Sequence, residues 1–224
     1  MANKERAARL AYLCLVRLSI KMLPVWPQDF LYRCENTRLT SYAEFADRAG
    51  VLELALREQY GFEAESHTIV RQTPNGVSRI ILYDSHIDIS RRRFSLAHEL
   101  GHIVLKHPEN LSRTHEIEAD FFASHLLYPR PVIETMVKRG FKPTVSKLAE
   151  LTRCSRQSAE TYMRLEKVYI EPVLYEKVAD LFSYWIDDQL GVPHEPPKHT
   201  ILRVPERYLR KYLATGDLSV IADL

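Results

Sequence analysis

The sequence predicts an α+β fold, mostly helical around a small antiparallel β-sheet and followed by a C-terminal helical extension. Three observations carry that reading. Two β-rich runs, SHTIVRQ and VSRIILYD, flank TPNG, and Asn-Gly between such runs signals a hairpin. Apolar residues then recur at helical spacing through RFSLAHELGHIVLKH and again through HEIEADFFASHLLYP. From Thr144 onward, TVSKLAELTRCSRQSAETYMRLEKV reads as two short helices with a turn near Cys154 and Ser155.

The elements follow in chain order. The opening MANKERAARLAYLCLVRLSIK fits an amphipathic helix whose stripe is Leu10, Leu13, Arg17 and Ile20. Pro24 and Pro27 break helical continuity in LPVWPQDF. A new helix starts at Thr40 or Ser41, and Glu44 completes a capping box if Ser41 is the cap. Apolar character through Leu52, Leu54, Ala55 and Leu56 runs toward Gly61, ahead of the hairpin. The first long helix begins near Ser90 and ends before Pro108; the second is ended by Pro129 and Pro131. Another helix spans about Val173 to Leu190, and the Pro-rich GVPHEPPKH leads to a last segment of about one helix.

Composition narrows the function classes. With 224 residues, 46% hydrophobic and 27% charged, the chain suits a folded globular protein with a sizeable core. Its 31 basic and 29 acidic residues are well mixed, so no whole-protein field argues for nucleic acid or an acidic membrane. Cys14, Cys34 and Cys154 are odd in number and outside CxxC pairs, which suits a reducing compartment. Between Arg9 and Arg17 lie only seven uncharged residues, too few for a signal peptide core or a membrane span. The expected location is cytoplasmic.

The chemistry concentrates in His98, Glu99 and His102, an HExxH motif. On a helix of about 3.6 residues per turn, positions i and i+4 share a face, so both imidazoles can reach one ion. The bland alternative is a pair of satisfied core histidines, but the apolar surround and the preceding strand favour a metal. A catalytic zinc takes three protein ligands and keeps one open position. Glu116, Glu118 and Asp120 of the next helix compete for the third place. Glu116 and Asp120 share a face with Ala123 and Leu127, whereas Glu118 lies about 200° round from Glu116 and is expected outward. Glu116 is therefore the expected ligand, Glu118 the alternative, and Asp120 an acceptor for the free N–H of a ligating histidine. His107 and His115 read as solvated loop histidines, and Arg91 to Arg93 as a solvated helix start.

RFSLAHELGHIVLKH followed by EIEADFFASHLLYP resembles the ImmA/IrrE family of metallopeptidases, over roughly Leu23 to Val168. Asp120 stands where the family commonly has Asn, and Tyr128 where it has Met. The resemblance implies a zincin-like domain over residues 1–170, with residues 144–168 as a helix-turn-helix-like unit packed on it. Residues 171–224 are an extension with no assigned role. It implies one zinc held by His98, His102 and a gluzincin-like Glu116, with Glu99 as general base. His125, Tyr128 and His107 are candidate oxyanion donors, unranked. The implied substrate is a protein, a helix-turn-helix repressor cut to release mobile-element (phage) or stress genes, as an anti-repressor acts. Direct nucleic-acid binding and a membrane are not expected: Lys147, Arg153 and Arg156 are interleaved with Glu150 and Glu160, and a DNA reader needs a cleaner positive face. The rival functions are a DNA-binding regulator with a structural zinc and a pseudoenzyme that only docks a partner.

Overall fold

A computed structural model describes residues 1–61, 64–74 and 76–193. The Pro-rich stretch and last segment from His194 onward lie outside the described residues. Helix α1 (Lys4–Arg17) is capped by Asn3, whose side chain accepts from the Arg6 amide. Its buried stripe is Ala7, Ala8, Ala11, Tyr12 and Leu15, while Leu13 is exposed, which corrects the expected Leu10/Leu13 phase. Small side chains set that face, because α1 lies close on a later helix and alanine admits a close backbone approach.

After the short α2 (Pro27–Leu31), strand β1 (Thr37–Ser41) leads into α3 (Tyr42–Ala49). Ser41 caps α3 in a full capping box with Glu44, as the sequence suggested. Gly50 ends α3 in the left-handed conformation at φ 66°, which glycine adopts without a Cβ penalty, and α4 (Glu53–Tyr60) follows. Strands β2 (Ser66–Thr73) and β3 (Gly76–Tyr83) form the expected hairpin, with Thr73 paired to Gly76.

The sheet order is β1-β3-β2, with β1 parallel to β3. The sheet is thus mixed, not purely antiparallel. TRLTS carries too little apolar signal to announce a strand; its pairing to residues 79–83 is a tertiary event. One face of the sheet buries Leu82 against Tyr42, Ala46 and Leu56 of α3 and α4. The other presents Ile81 to the main core and to α5 (Ile89–Leu105).

Helix α5 runs from an Asp88 cap to Lys106, which turns left-handed at φ 57°, and α6 (Arg113–Leu127) comes back against it. Their contact is closest at Gly101, where a Cβ would sit 3.2 Å from the Cα and carbonyl oxygen of Ala119 and 3.2 Å from the Phe122 ring. Helix α1 packs on α6 and also touches α5, where Arg6 donates to the Leu105 carbonyl. Helix α7 (Arg130–Lys138) was not expected. Pro129 and Pro131 end α6 but also open α7, since proline is tolerated in a first turn where amide donors are unused.

The pair α8 (Val145–Thr152) and α9 (Arg156–Arg164) matches the expected two-helix unit, capped by Thr144 and Ser155. Leu148, Ala159 and Tyr162 turn into the main core. Arg93 is fully buried, so the reading of Arg91 to Arg93 as a solvated helix start fails at its last residue. Its Nη1 donates to the carbonyls of Thr152 and Arg153 at 2.7 Å, its Nη2 donates to that of Val25 at 2.5 Å, and its guanidinium lies over Trp26. One cation thereby ties α5, the α8 C-terminus and the segment after Pro24. The helix expected over Val173 to Leu190 is broken at Phe182 into α10 (Pro172–Leu181) and α11 (Ser183–Gln189). Val178, Phe182 and Ile186 are buried in the main core, so the packed unit continues past residue 170.

Gly101→Val is expected to push α5 from α6. The overpacking cost of about 2 kcal/mol exceeds what helix propensity returns, and the thermal midpoint falls by roughly 4–8 °C. A calorimetric midpoint equal to wild type would show that the crossing tolerates a side chain.

Candidate metal centre

Helix α5 points the imidazoles of His98 and His102 from one face, and the first turn of α6 brings Glu116 to them. That turn is fixed by Ser112, whose hydroxyl accepts from the His115 amide while the Ser112 amide donates to the His115 ring, a capping box with histidine in the usual glutamate place. The His98 and His102 Nε2 atoms are 2.8 Å apart. The Glu116 Oε2 lies 3.2 Å from the first and 3.7 Å from the second. A four-coordinate zinc with bonds of about 2.0–2.1 Å separates its ligand atoms by about 3.3 Å, so three such edges suit it. Among the described residues these are the side chains grouped as a metal could be held.

Proton placement supports the same fit. The His98 Nδ1 is 2.8 Å from Asp120 Oδ1, and a carboxylate there requires the proton on Nδ1, leaving Nε2 bare toward its neighbours. Burial pulls the His98 pKa down, but the Asp120 carboxylate outweighs it and the net direction is upward. For His102, burial and then the adjacent His98 and His107 rings depress the pKa to about 3, so its imidazole is neutral and able to ligate. Two ring nitrogens and a carboxylate oxygen facing one point make a donor set that suits a cation.

Glu99, one step round α5, turns instead to the sheet. It accepts hydrogen bonds from the Ser66 hydroxyl at 2.9 Å and from the Thr68 hydroxyl. Residues i and i+2 of a strand share a face, so β2 presents both hydroxyls to α5. The sequence reading did not pick out this pair, although hydroxyls alternating in the strand before an HExxH helix are a legible signal. Strand β2 stands at the edge of the described sheet. Between it and α5 runs a cleft of about 680 Å³, polar at Glu99 and Glu116 and more apolar toward Val70, Val77, Phe94 and Ile103.

Of the remaining candidates, His125 and Tyr128 lie away from the cleft, whereas His107 lines it. His125 is fully buried beside Tyr12 and Phe121, with Nδ1 bonded to the Phe121 carbonyl, and Tyr128 is fully buried against the Tyr162 ring. Neither can donate to an oxyanion at Glu99. His107 is no solvated loop residue and no donor to the cleft either: its Nδ1 faces His102 and its Nε2 faces Glu118. Glu118 is buried, not outward, because α6 is covered on two sides, by α5 and by α1.

Residues 54–163 match a peptidase family described as the IrrE N-terminal-like domain. The radiation response metalloprotease IrrE of Deinococcus radiodurans is 34% identical over 111 residues, covering 43% of this chain and 33% of that protein. The shared region is thus about a third of that relative's length.

Burial makes one of the excluded candidates a pH sensor of stability. His125 has its pKa lowered from 6.5 to about 4, chiefly by burial, and its Nε2 has no hydrogen-bond partner among the described residues. The unfolded chain binds that proton first, so its contribution is full above pH 6.5 and is lost as pH falls through about 4, about 3 kcal/mol in all. Denaturant unfolding of the metal-free chain at pH 7 and pH 4 should show a smaller loss in His125→Met than in wild type. Equal losses would contradict this account.

Proposed function

We propose, for a chain whose residues 54–163 belong to the IrrE N-terminal-like peptidase family, a zinc-dependent endopeptidase acting on a protein. The observation that carries it is the convergence of His98, His102 and Glu116 beside Glu99, in a cleft bounded by the edge strand β2. His98, His102 and Glu116 hold the zinc, and Asp120 orients His98 through Nδ1. Zinc in that place supplies Lewis-acid polarisation of the scissile carbonyl and acidifies water toward neutrality.

The chain's own residues do the rest. Glu99 accepts the proton of the attacking water and returns it to the leaving nitrogen. Ser66 and Thr68 hold its carboxylate in a fixed orientation at the sheet edge, which limits the geometries the base must search. The outer edge of β2, at the margin of the described sheet, suits an extended peptide laid alongside it, with backbone hydrogen bonds giving affinity and the Val70, Val77 and Ile103 end of the cleft taking an apolar side chain. No described helix is long and apolar enough to cross a membrane.

The substrate that fits the family resemblance is a helix-turn-helix repressor, cleaved so that the genes it silences are released. Co-expression with the repressor-like protein encoded nearest to this chain, read by intact mass, tests it. Wild type is expected to yield fragments, Glu99→Gln to keep its zinc but lose at least a hundredfold in rate, and His98→Ala to lose both. Fragments from Glu99→Gln at the wild-type rate would remove Glu99 from the mechanism.

Thr68→Val, which deletes one hydroxyl from Glu99 without changing side-chain volume, is expected to lower kcat/KM about tenfold. Its zinc content, measured by atomic emission, should equal wild type. An unchanged kcat/KM would mean that Glu99 is held without the strand.

A further inference from the structure

We infer that His107 and Glu118 form a buried relay behind His102 that fixes its tautomer for metal binding, making them positioning residues of the site. The inference rests on the proposed metal centre and on three polar contacts in a row. The His102 Nδ1 lies 2.9 Å from His107 Nδ1, the His107 Nε2 lies 3.0 Å from Glu118 Oε2, and the backbone amide of Asn3 donates to Glu118 Oε1 at 2.6 Å. The side chains of His107 and Glu118 are 3% and 8% exposed, so water does not compete for these bonds.

Two Nδ1 atoms at hydrogen-bond distance require that one carry a proton and the other not. Glu118 decides which. Its carboxylate only accepts, so His107 must carry its proton on Nε2, and the neutral ring then has a bare Nδ1. A bare Nδ1 on His107 accepts from His102, which must therefore carry its own proton on Nδ1. The His102 Nε2, facing His98 and Glu116, is left with its lone pair free. The carboxylate thus sets the ligating nitrogen through an intervening imidazole.

The two histidine ligands are supported unequally. His98 is oriented directly by Asp120, whose side chain is 59% exposed, and His102 by a relay closed to solvent. The relay also crosses the fold. Asn3 caps α1, Glu118 belongs to α6, and His107 follows the left-handed turn at Lys106 that ends α5. Docking of α1 on α6 thereby reaches the metal site through hydrogen bonds.

Glu118→Gln is the decisive substitution. A glutamine whose oxygen still accepts from the Asn3 amide turns its NH₂ toward His107, makes His107 Nε2 an acceptor, and moves the proton to His107 Nδ1. His102 must then carry its proton on Nε2, the wrong nitrogen. On the full chain, zinc affinity measured by competition with a chromophoric chelator is expected to weaken 10- to 100-fold in Glu118→Gln and in His107→Leu. His107→Gln, which can accept from His102 and donate to Glu118, is expected to return to within threefold of wild type. Imidazole ¹⁵N resonances of the metal-free wild type should show His102 as the Nδ1–H tautomer. An Nε2–H tautomer there, or wild-type zinc affinity in Glu118→Gln, would overturn the relay. Wild type that binds no zinc would instead remove the metal centre, and the tautomer measured without metal still decides the relay even if a variant fails to fold.

Discussion

The close crossing of α5 and α6 at Gly101 is the constraint on which the site depends. His98 and His102 straddle that glycine on one helix, and Glu116 sits one turn before Ala119 on the other. A side chain at residue 101 would meet helix backbone, which cannot rotate away as a side chain can. Holding the axes that close brings the Glu116 carboxylate to within 3.7 Å of both imidazoles. Helix α1 packs on α6 through a buried alanine-rich face, where small side chains admit a close approach.

Polar groups buried around this crossing are satisfied in ways that join distant segments. Arg93 has carbonyls rather than a carboxylate for partners, two of them at the end of α8, where carbonyl oxygens lack helical donors. Glu118 receives the Asn3 amide and the His107 ring, so it links α1 and the chain after α5. Removing one partner from such a set leaves the other desolvated, which costs more than the bond itself returns. These groups hold helices of the main core in a fixed relation to the metal ligands.

Much of the fold was legible before any coordinates. The hairpin, the Ser41 capping box, the two long helices and the α8–α9 pair follow from local signals: a turn dipeptide, a cap spacing and apolar periodicity. What escaped had no local signal or an ambiguous one. Strand β1 exists because it pairs in parallel with β3 across nearly forty intervening residues. Pro129 and Pro131 are compatible with both ending one helix and starting another, and only the packed chain showed that they do both.

For the site, the sequence by itself determined the donor types and their spacing: two imidazoles four apart, a carboxylate beside the first, and acidic residues one helix later. Spacing on a helix is covalent geometry and needs no partner to be read. Which acidic residue turned where, and which histidines faced the cleft, was decided only by tertiary structure. Glu116 reached the imidazoles, Glu118 was buried, His107 lined the cleft with both ring nitrogens engaged by His102 and Glu118, and His125 and Tyr128 were buried away from it. The reason is that α6 is covered on more than one face, so no single amphipathic stripe separates inside from outside. The choice passes to the helices and strand that pack against it.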